Sequence, residues 1–169
     1  RNTLVNYHKA LKSFDTWMLK EKLIEEDPFD LIIVPKPEMG LPNYLTIHEA
    51  KKVLNWIVNN DWYCKFEKTR NLAIFTTFLY TGVRLSELLN LKLADIDLEA
   101  STLKVNKGKG MKDRMIPICD KLNKILFQYL QERQAELRTT EYFFTSANRD
   151  TPFTVSGLKR VIVKINKAK

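Results

Sequence analysis

Cysteine and histidine are scarce in this chain, and long apolar runs are missing. Its 169 residues include two cysteines, Cys64 and Cys119, in unrelated contexts, which excludes a disulfide scaffold and a four-cysteine zinc site. Two histidines, His8 and His48, are too few for a histidine-rich metal site. The longest apolar runs have four residues, whereas a membrane-spanning helix needs about 20. We therefore predict no metal site and no membrane span, and two unpaired thiols fit a reducing compartment.

The positive charge is concentrated in two segments. The chain has a net charge of +8, from 28 basic and 20 acidic side chains. Residues 104–114 carry a net charge of +4 and residues 159–169 carry +5, so the rest of the chain is close to neutral. Such focal basicity is typical of proteins that bind a polyanion, most often nucleic acid. A lysine-rich solvated surface gives the same pattern.

The composition divides the chain into two regions joined by a linker. Five apolar residues near the start recur at helical spacing and predict one helix with an apolar stripe: Leu4, Tyr7, Leu11, Phe14 and Met18. Residues 31–43 then hold three prolines and a glycine, which is typical of a linker or a crossing strap. We interpret residues 1–34 as the end of a helical domain, 35–43 as the linker, and 44–169 as part of a second domain.

Helix signals dominate the second region. Thr46 and Glu49 form a capping box at the start of one helix. Residues 70–80 are apolar nearly all round, which indicates a central buried helix, and Gly82 is placed to end it. Thr154 is placed to cap the last helix, whose inner face is predicted to hold Leu158, Val161, Ile162 and Ile165.

Strand signals are confined to one short stretch. Residues 102–106 and 114–118 alternate in polarity around a glycine-bearing turn, which predicts a β-hairpin, and residues 96–98 are a candidate third strand. Asp120 is a plausible N-cap for the helix that follows. The predicted fold class is mainly α with a small antiparallel β-sheet, an α+β domain.

The turn after the central helix holds the first candidate site. Arg84 opens a new helix directly after Gly82, where backbone N–H groups already favour an anion. Its guanidinium can bind two oxygens of one phosphate, and Glu87, one turn later, can hold that fork in place. An exposed ion pair that follows a helix stop is the alternative.

The hairpin tip holds the second candidate site. Its glycines let the backbone approach a ligand closely. A lysine there can donate a proton to a leaving oxygen if its pKa is lowered. A basic, solvated hairpin is the alternative, and the spacing of a Walker phosphate-binding loop is absent.

Together these segments resemble the tyrosine site-specific recombinases, also called phage integrases. The most specific likeness lies in residues 81–117. It is carried by T-G-V-R-L-S-E-L-L-N-L-K-L-A-D-I-D at 81–97 and by L-K-V-N-K-G-K-G-M-K-D-R-M-I-P-I at 103–118. The upstream L-P-N-Y-L-T-I-H-E-A-K-K-V-L resembles the opening of that family's catalytic domain. The helix near the start resembles the last helix of its core-binding domain.

The resemblance implies a mechanism that uses no metal and no cofactor. In that family a tyrosine attacks a DNA phosphodiester and forms a 3′-phosphotyrosyl link, which the 5′-hydroxyl of a second strand resolves. Arg84 matches the first of two arginines that hold the non-bridging oxygens. Glu87 matches the acidic residue that supports the site, and Lys109 matches the lysine that protonates the leaving 5′-oxygen.

The resemblance also implies partners and a location. We expect double-stranded DNA with inverted recognition sites, other recombinase protomers in a synaptic assembly, no small-molecule substrate, and a cytoplasmic, DNA-associated protein of a prokaryote or phage. The candidate DNA contacts lie on the first helix, the hairpin and the last helix: Lys9, Lys12, Ser13, Lys107, Lys112, Arg114, Lys159 and Arg160.

Two features of that family are expected beyond the last helix. These are an H-x-x-R motif and the nucleophilic tyrosine, and we interpret the six tyrosines of this chain as structural. We therefore expect the chain to be a fragment of a recombinase.

Two other functions fit the same sequence. A non-catalytic DNA-binding regulator on the same scaffold would tolerate substitution of Arg84, whereas an enzyme would lose cleavage with a modest loss of binding. A helical protein-interaction module would bind no DNA, or would bind it with an affinity that salt does not change.

Residues 1–169 are expected to form no covalent link to DNA, because we assign none of their tyrosines as the nucleophile. Incubation with duplex DNA followed by denaturing electrophoresis checks this expectation. A protein band shifted by the mass of a DNA strand would contradict it.

Overall fold

The computed structural model describes residues 2–33, 44–106 and 113–167. The chain divides into two compact units, Arg1–Tyr44 and Leu45–Lys169. Within the described ranges, none of the helices has the length and apolarity that a membrane crossing requires.

The first unit is one long helix followed by an irregular segment. Helix α1 spans Asn2–Lys20, and Val5 and Asp15 on one side of it are buried. The ring of His8 meets the ring of Phe29 edge-on at 5.6 Å. The predicted helix is present, but most of its predicted apolar stripe is exposed: Leu4, Tyr7, Leu11 and Phe14. A different face of α1 therefore packs against the segment that follows it.

The second unit has five α-helices and one small sheet in its described residues. The helices are α2 (Ile47–Asn59), α3 (Lys65–Thr81), α4 (Leu85–Leu89), α5 (Asp120–Ala135) and α6 (Val155–Lys167). A 3₁₀ turn at Leu93–Asp95 leads into the sheet. The strands are β1 (Ile96–Asp97), β2 (Thr102–Val105) and β3 (Arg114–Pro117), antiparallel in the order β1-β2-β3. Mainly helical structure with a small antiparallel sheet is the predicted fold class.

The predicted N-terminal caps are present on α2 and α6. Thr46 Oγ1 accepts from the Glu49 N–H at 3.2 Å, and the Glu49 carboxylate accepts from the Thr46 N–H at 2.8 Å. Thr154 Oγ1 accepts from the Gly157 N–H at 3.1 Å. These short-range bonds satisfy backbone donors that the first helical turn leaves free, which is why the sequence predicts them.

Two local predictions were wrong. Asp120 does not cap α5: it is the first helical residue, and Cys119 stands at the cap position without a side-chain bond. Ile162 was expected on the inner face of α6, but 40% of it is exposed, while Leu158, Val161 and Ile165 are buried. The inner face of α6 is thus a narrow stripe at spacings of three and four.

Helix α3 is the centre of the core and packs against α2 and α5. Tyr129 of α5 is completely buried beside it, with the rings of Phe66, Phe143 and Phe144 within 5.6 Å. The Tyr129 hydroxyl donates to the Phe143 carbonyl and accepts from the Thr145 N–H, each at 3.1 Å. This residue joins α3 and α5 to the segment after α5.

Two arginines inside the core were not predicted. Arg133 donates to the carbonyls of Arg138, at 3.0 Å, and Tyr142, at 3.2 Å. The Arg70 guanidinium lies 4.3 Å from the centre of the Phe153 ring and donates to Thr145 O at 3.3 Å. Buried charges of this kind need partners, and here backbone carbonyls supply them, together with the side chains of Glu67 and Asn71 for Arg70. They fasten the irregular segment 138–153 to the helices.

Gly82 ends α3 in the left-handed conformation, at φ 62° and ψ 22°, and its N–H donates to Phe78 O at 3.0 Å. A Cβ at this position would meet no atom within 4 Å, so an added side chain costs backbone strain and no steric clash. We expect Gly82→Ala to lower the free energy of unfolding by about 1 kcal/mol. Gly82→Asn should cost less, because asparagine tolerates this conformation. Urea unfolding of both variants checks the order, and equal losses would contradict it.

Candidate active site

Arg84 is positioned by the helix break at Gly82. The backbone leaves the left-handed turn, becomes extended at Arg84, and enters α4 at Leu85. The Arg84 N–H donates to Glu87 Oε2 at 2.8 Å, and its Nη1 donates to Glu87 Oε1 at 3.0 Å. The contact that the sequence predicts between these two residues is therefore present. Helix α4 has five residues, so its dipole adds little to anion binding here.

Arg114 contacts the same carboxylate from the first position of β3. Its Nη1 donates to Glu87 Oε1 at 2.9 Å, and its Nη2 donates to Glu87 Oε2 at 2.7 Å. This paired geometry is the strongest that an arginine and a carboxylate form. Because 27 residues separate Glu87 from Arg114, no local pattern in the sequence indicates the contact.

The Glu87 side chain is 6% exposed and lies between two cations. The hydrogen bonds from Arg114 are the main cause that lowers the pKa of Glu87 to about 2, and the bonds from Arg84 lower it further. Burial acts in the opposite direction and is outweighed. The same carboxylate raises the pKa of Arg114. Glu87 and Arg114 are consequently both charged at neutral pH.

The two arginines differ in their access to solvent. The Arg84 side chain is 55% exposed, whereas that of Arg114 is 37% exposed and both of its terminal nitrogens bind Glu87. Glu87 holds Arg84 from one side, and an anion in solution can reach the guanidinium from the other.

A cleft of about 430 Å³ adjoins this cluster. Its lining includes Ser86, Glu87, Asn90, Lys92, Asp95 and Asn106. The buried Asp95 accepts from the Lys92 N–H at 2.9 Å and from Asn106 Nδ2. Asn106 directly follows β2, and Arg114 begins β3. Asn106 after β2 is thus bound by the carboxylate of the 3₁₀ turn, and Arg114 at the start of β3 is bound by the carboxylate of α4. Sequence reasoning missed both contacts.

The other candidate residues of the second unit lie between β2 and β3 and on α6. Lys107, Lys109 and Lys112 of the hairpin tip lie outside the described residues. Lys159 and Arg160 are exposed on α6.

Three further candidates lie on α1 in the first unit. Lys9 is exposed, the Ser13 hydroxyl donates to Lys9 O at 3.0 Å, and Lys12 Nζ lies 3.7 Å from Asp27.

Among the candidate residues, the structure brings together Arg84, Glu87 and Arg114. The described residues contain no group of three or more metal-ligating side chains.

Comparisons with known proteins give one consistent result. Residues 43–169 match the model of the phage integrase family. The tyrosine recombinase XerC of Bacillus pumilus is 32% identical over 173 residues, which cover 99% of this chain and 55% of that protein. XerD of Halalkalibacterium halodurans is 35% identical over 128 residues, 76% of this chain and 41% of that one. The chain spans about half the length of the curated relatives it matches.

Solved structures agree with the fold. The crystal structure of XerA recombinase has a TM-score of 0.63 and 36% identity, over 79% of this chain and 44% of that one. The Tn1549 transposon integrase, in complex with a circular intermediate DNA, has a TM-score of 0.74 over 100% of this chain and 60% of that one. At 19% identity, the second likeness concerns the fold alone. The predicted α+β fold class is confirmed.

Glu87→Gln is expected to lower the free energy of unfolding at pH 7 by about 1–3 kcal/mol, because charged hydrogen bonds to two arginines are lost. The folded pKa of Glu87 lies below the ordinary value of 4.5, so the carboxylate stabilises the fold fully above that pH. This contribution is lost as the pH falls toward 2. Urea unfolding between pH 7 and pH 3 should show the two proteins converging. Glu99→Gln, at an exposed position, is the control, and a gap that stays constant with pH would contradict the prediction.

Proposed function

Because the chain belongs to the phage integrase family, whose matching relatives are named tyrosine recombinases, we propose that the protein recombines DNA at specific sites. The proposed reaction cleaves a DNA strand and rejoins it to another through a phosphotyrosyl intermediate. The observation that carries the proposal is the Arg84 guanidinium, exposed on one side and held by the buried carboxylate of Glu87 on the other.

The proposed chemistry is a pair of transesterifications. A tyrosine oxygen bonds to the phosphorus of a phosphodiester, the bond to the 5′-oxygen breaks, and that oxygen takes up a proton. A 5′-hydroxyl of another strand then attacks the phosphotyrosine and releases the tyrosine. Each step exchanges one phosphorus–oxygen ester for another, so the cycle needs no external energy source.

Arg84 is assigned to the phosphate in this reaction. Negative charge builds on the non-bridging oxygens in the transition state, and a guanidinium that is already oriented stabilises that charge without reorganising. Glu87 supplies the orientation through a bond to the Arg84 side chain and a bond to its backbone. We propose that Lys109 donates a proton to the leaving 5′-oxygen, on the basis of its place in the family's motif.

The two units receive separate roles in the proposal. The first is the end of a core-binding domain, with Lys9, Lys12 and Ser13 against DNA. The second is the N-terminal part of the catalytic domain. There, exposed Lys159 and Arg160, together with Lys107 and Lys112, contact the DNA backbone.

The proposed substrate sets the partners and the location. We propose that protomers bound at inverted sites on double-stranded DNA pair in a synaptic assembly. We infer a cytoplasmic, DNA-associated protein for the same reason.

The chain is expected to bind duplex DNA with a strong salt dependence. A 40-bp duplex selected by the chain from a random pool serves as the probe, and fluorescence anisotropy gives its Kd from 50 to 300 mM KCl. The slope of log K against log[KCl] should be about −4 or steeper, because several phosphates release counterions. A slope near zero would contradict DNA binding and favour a protein-interaction module.

Arg84→Ala tests the enzymatic part in the full-length gene product on the same duplex carrying a nick. We expect cleavage to fall by at least about a hundredfold while Kd rises less than tenfold, since charge stabilisation of this kind acts mainly in the transition state. Lys124→Gln, an exposed cation on α5, is the matched control. Unchanged cleavage in the Arg84 variant would instead favour the non-catalytic regulator.

A further inference from the structure

Arg114 has two possible roles beside Glu87. As a basic residue at the end of a charged hairpin, it is a candidate for direct contact with a DNA phosphate. The structure offers another role, because the two terminal nitrogens of Arg114 donate to the two oxygens of Glu87, at 2.9 and 2.7 Å. Because both terminal nitrogens bind Glu87, the Arg114 guanidinium directs these donors toward the protein and not toward a phosphate.

Glu87 connects Arg114 to Arg84 by hydrogen bonds. Its Oε1 accepts from Arg114 and from Arg84 Nη1, and its Oε2 accepts from Arg114 and from the Arg84 backbone. With 6% of the side chain exposed, water has little access to replace a lost partner. If Arg114 is removed, Glu87 loses the two bonds that fix its plane and keeps a charge that then acts on Arg84 alone.

The backbone position of Arg114 makes the constraint rigid. Arg114 pairs with Val105 in the register of β2 and β3, and Val105 is 1% exposed in the core. The Arg114 backbone is therefore held by the sheet, and its side chain bridges from the sheet to α4. Arg84 lies between the glycine turn and α4, and its guanidinium is held by the hydrogen bond to Glu87.

We infer that Arg114 is a positioning residue that orients Arg84 toward the DNA phosphate through Glu87, and does not itself contact DNA. The inference rests on the proposed function, since it assigns Arg84 to that phosphate. It also replaces the direct contact that the charge pattern predicts for Arg114.

The salt dependence of DNA binding separates the two roles of Arg114. The probe is the selected 40-bp duplex, and the proteins are wild type, Arg84→Ala, Arg114→Gln, the double variant, and Lys124→Gln as a control for net charge. A residue that neutralises a phosphate lowers the salt slope by about 0.9 when it is removed. A positioning residue changes the slope only through Arg84, so Arg114→Gln should leave the slope unchanged when Arg84 is already alanine.

Non-additivity is the second readout. We expect Arg114→Gln to weaken binding by no more than Arg84→Ala does, and by less than twofold when Arg84 is already alanine. Arg114→Lys restores the charge without the paired bonds, so it should recover less than half of the loss on a logarithmic scale. Glu87→Gln should show the same loss of coupling to Arg84, and it replaces Arg114→Gln if circular dichroism shows that variant to be unfolded.

The possible outcomes are distinct. A slope lowered by about 0.9 in Arg114→Gln, with effects that multiply in the double variant, would show direct phosphate contact and overturn the inference alone. Full rescue by Arg114→Lys would overturn it too. Wild-type binding that salt does not change would overturn the proposed function and this inference together.

Discussion

The second unit depends on one carboxylate placed between two arginines. Glu87 lies on a short helix, Arg84 precedes that helix, and Arg114 begins a strand. An unpaired carboxylate at 6% exposure would be costly, and the four hydrogen bonds from the arginines offset that cost. The same bonds keep the carboxylate charged and give the more exposed arginine a defined orientation. Stability and the candidate chemistry therefore rest on the same atoms.

The packing of the core explains why the Glu87 carboxylate has a well-defined position. Helix α3 is packed on several sides, and its end at Gly82 is set by a left-handed residue, so the start of α4 has little freedom. Leu88, next to Glu87, is completely buried. Its packing fixes the rotation of α4 and turns Glu87 toward β3. Charged groups in the site are thus oriented by apolar neighbours that take no part in the chemistry.

Whether a prediction was confirmed depended on how far apart in the sequence the interacting residues are. The capping box at Thr46 and the glycine stop involve neighbours within a few residues, the hairpin strands pair residues 9 to 15 positions apart, and the structure contains all of them. Arg84 and Glu87 are three residues apart, so their contact could also be inferred. The buried face of α1 was predicted wrongly, because periodicity does not reveal which face a neighbouring segment covers. The predicted cap at Asp120 was misplaced by one residue. Arg70 and Arg133 were missed because their carbonyl partners lie in an irregular segment.

The sequence by itself determined the family, the fold class, the helix ends at Thr46, Gly82 and Thr154, and the two residues at the start of α4. Their signals are local and follow from backbone geometry, helix capping and the order of motifs. Tertiary structure alone decided that Arg114 turns inward to Glu87, that Asn106 binds Asp95, and that Arg84 is the more exposed of the two arginines. The contact between Arg114 and Glu87 forms because β3 packs against the start of α4, although the two residues are 27 positions apart in the sequence. The pattern of charges along the sequence does not show which distant residues will meet.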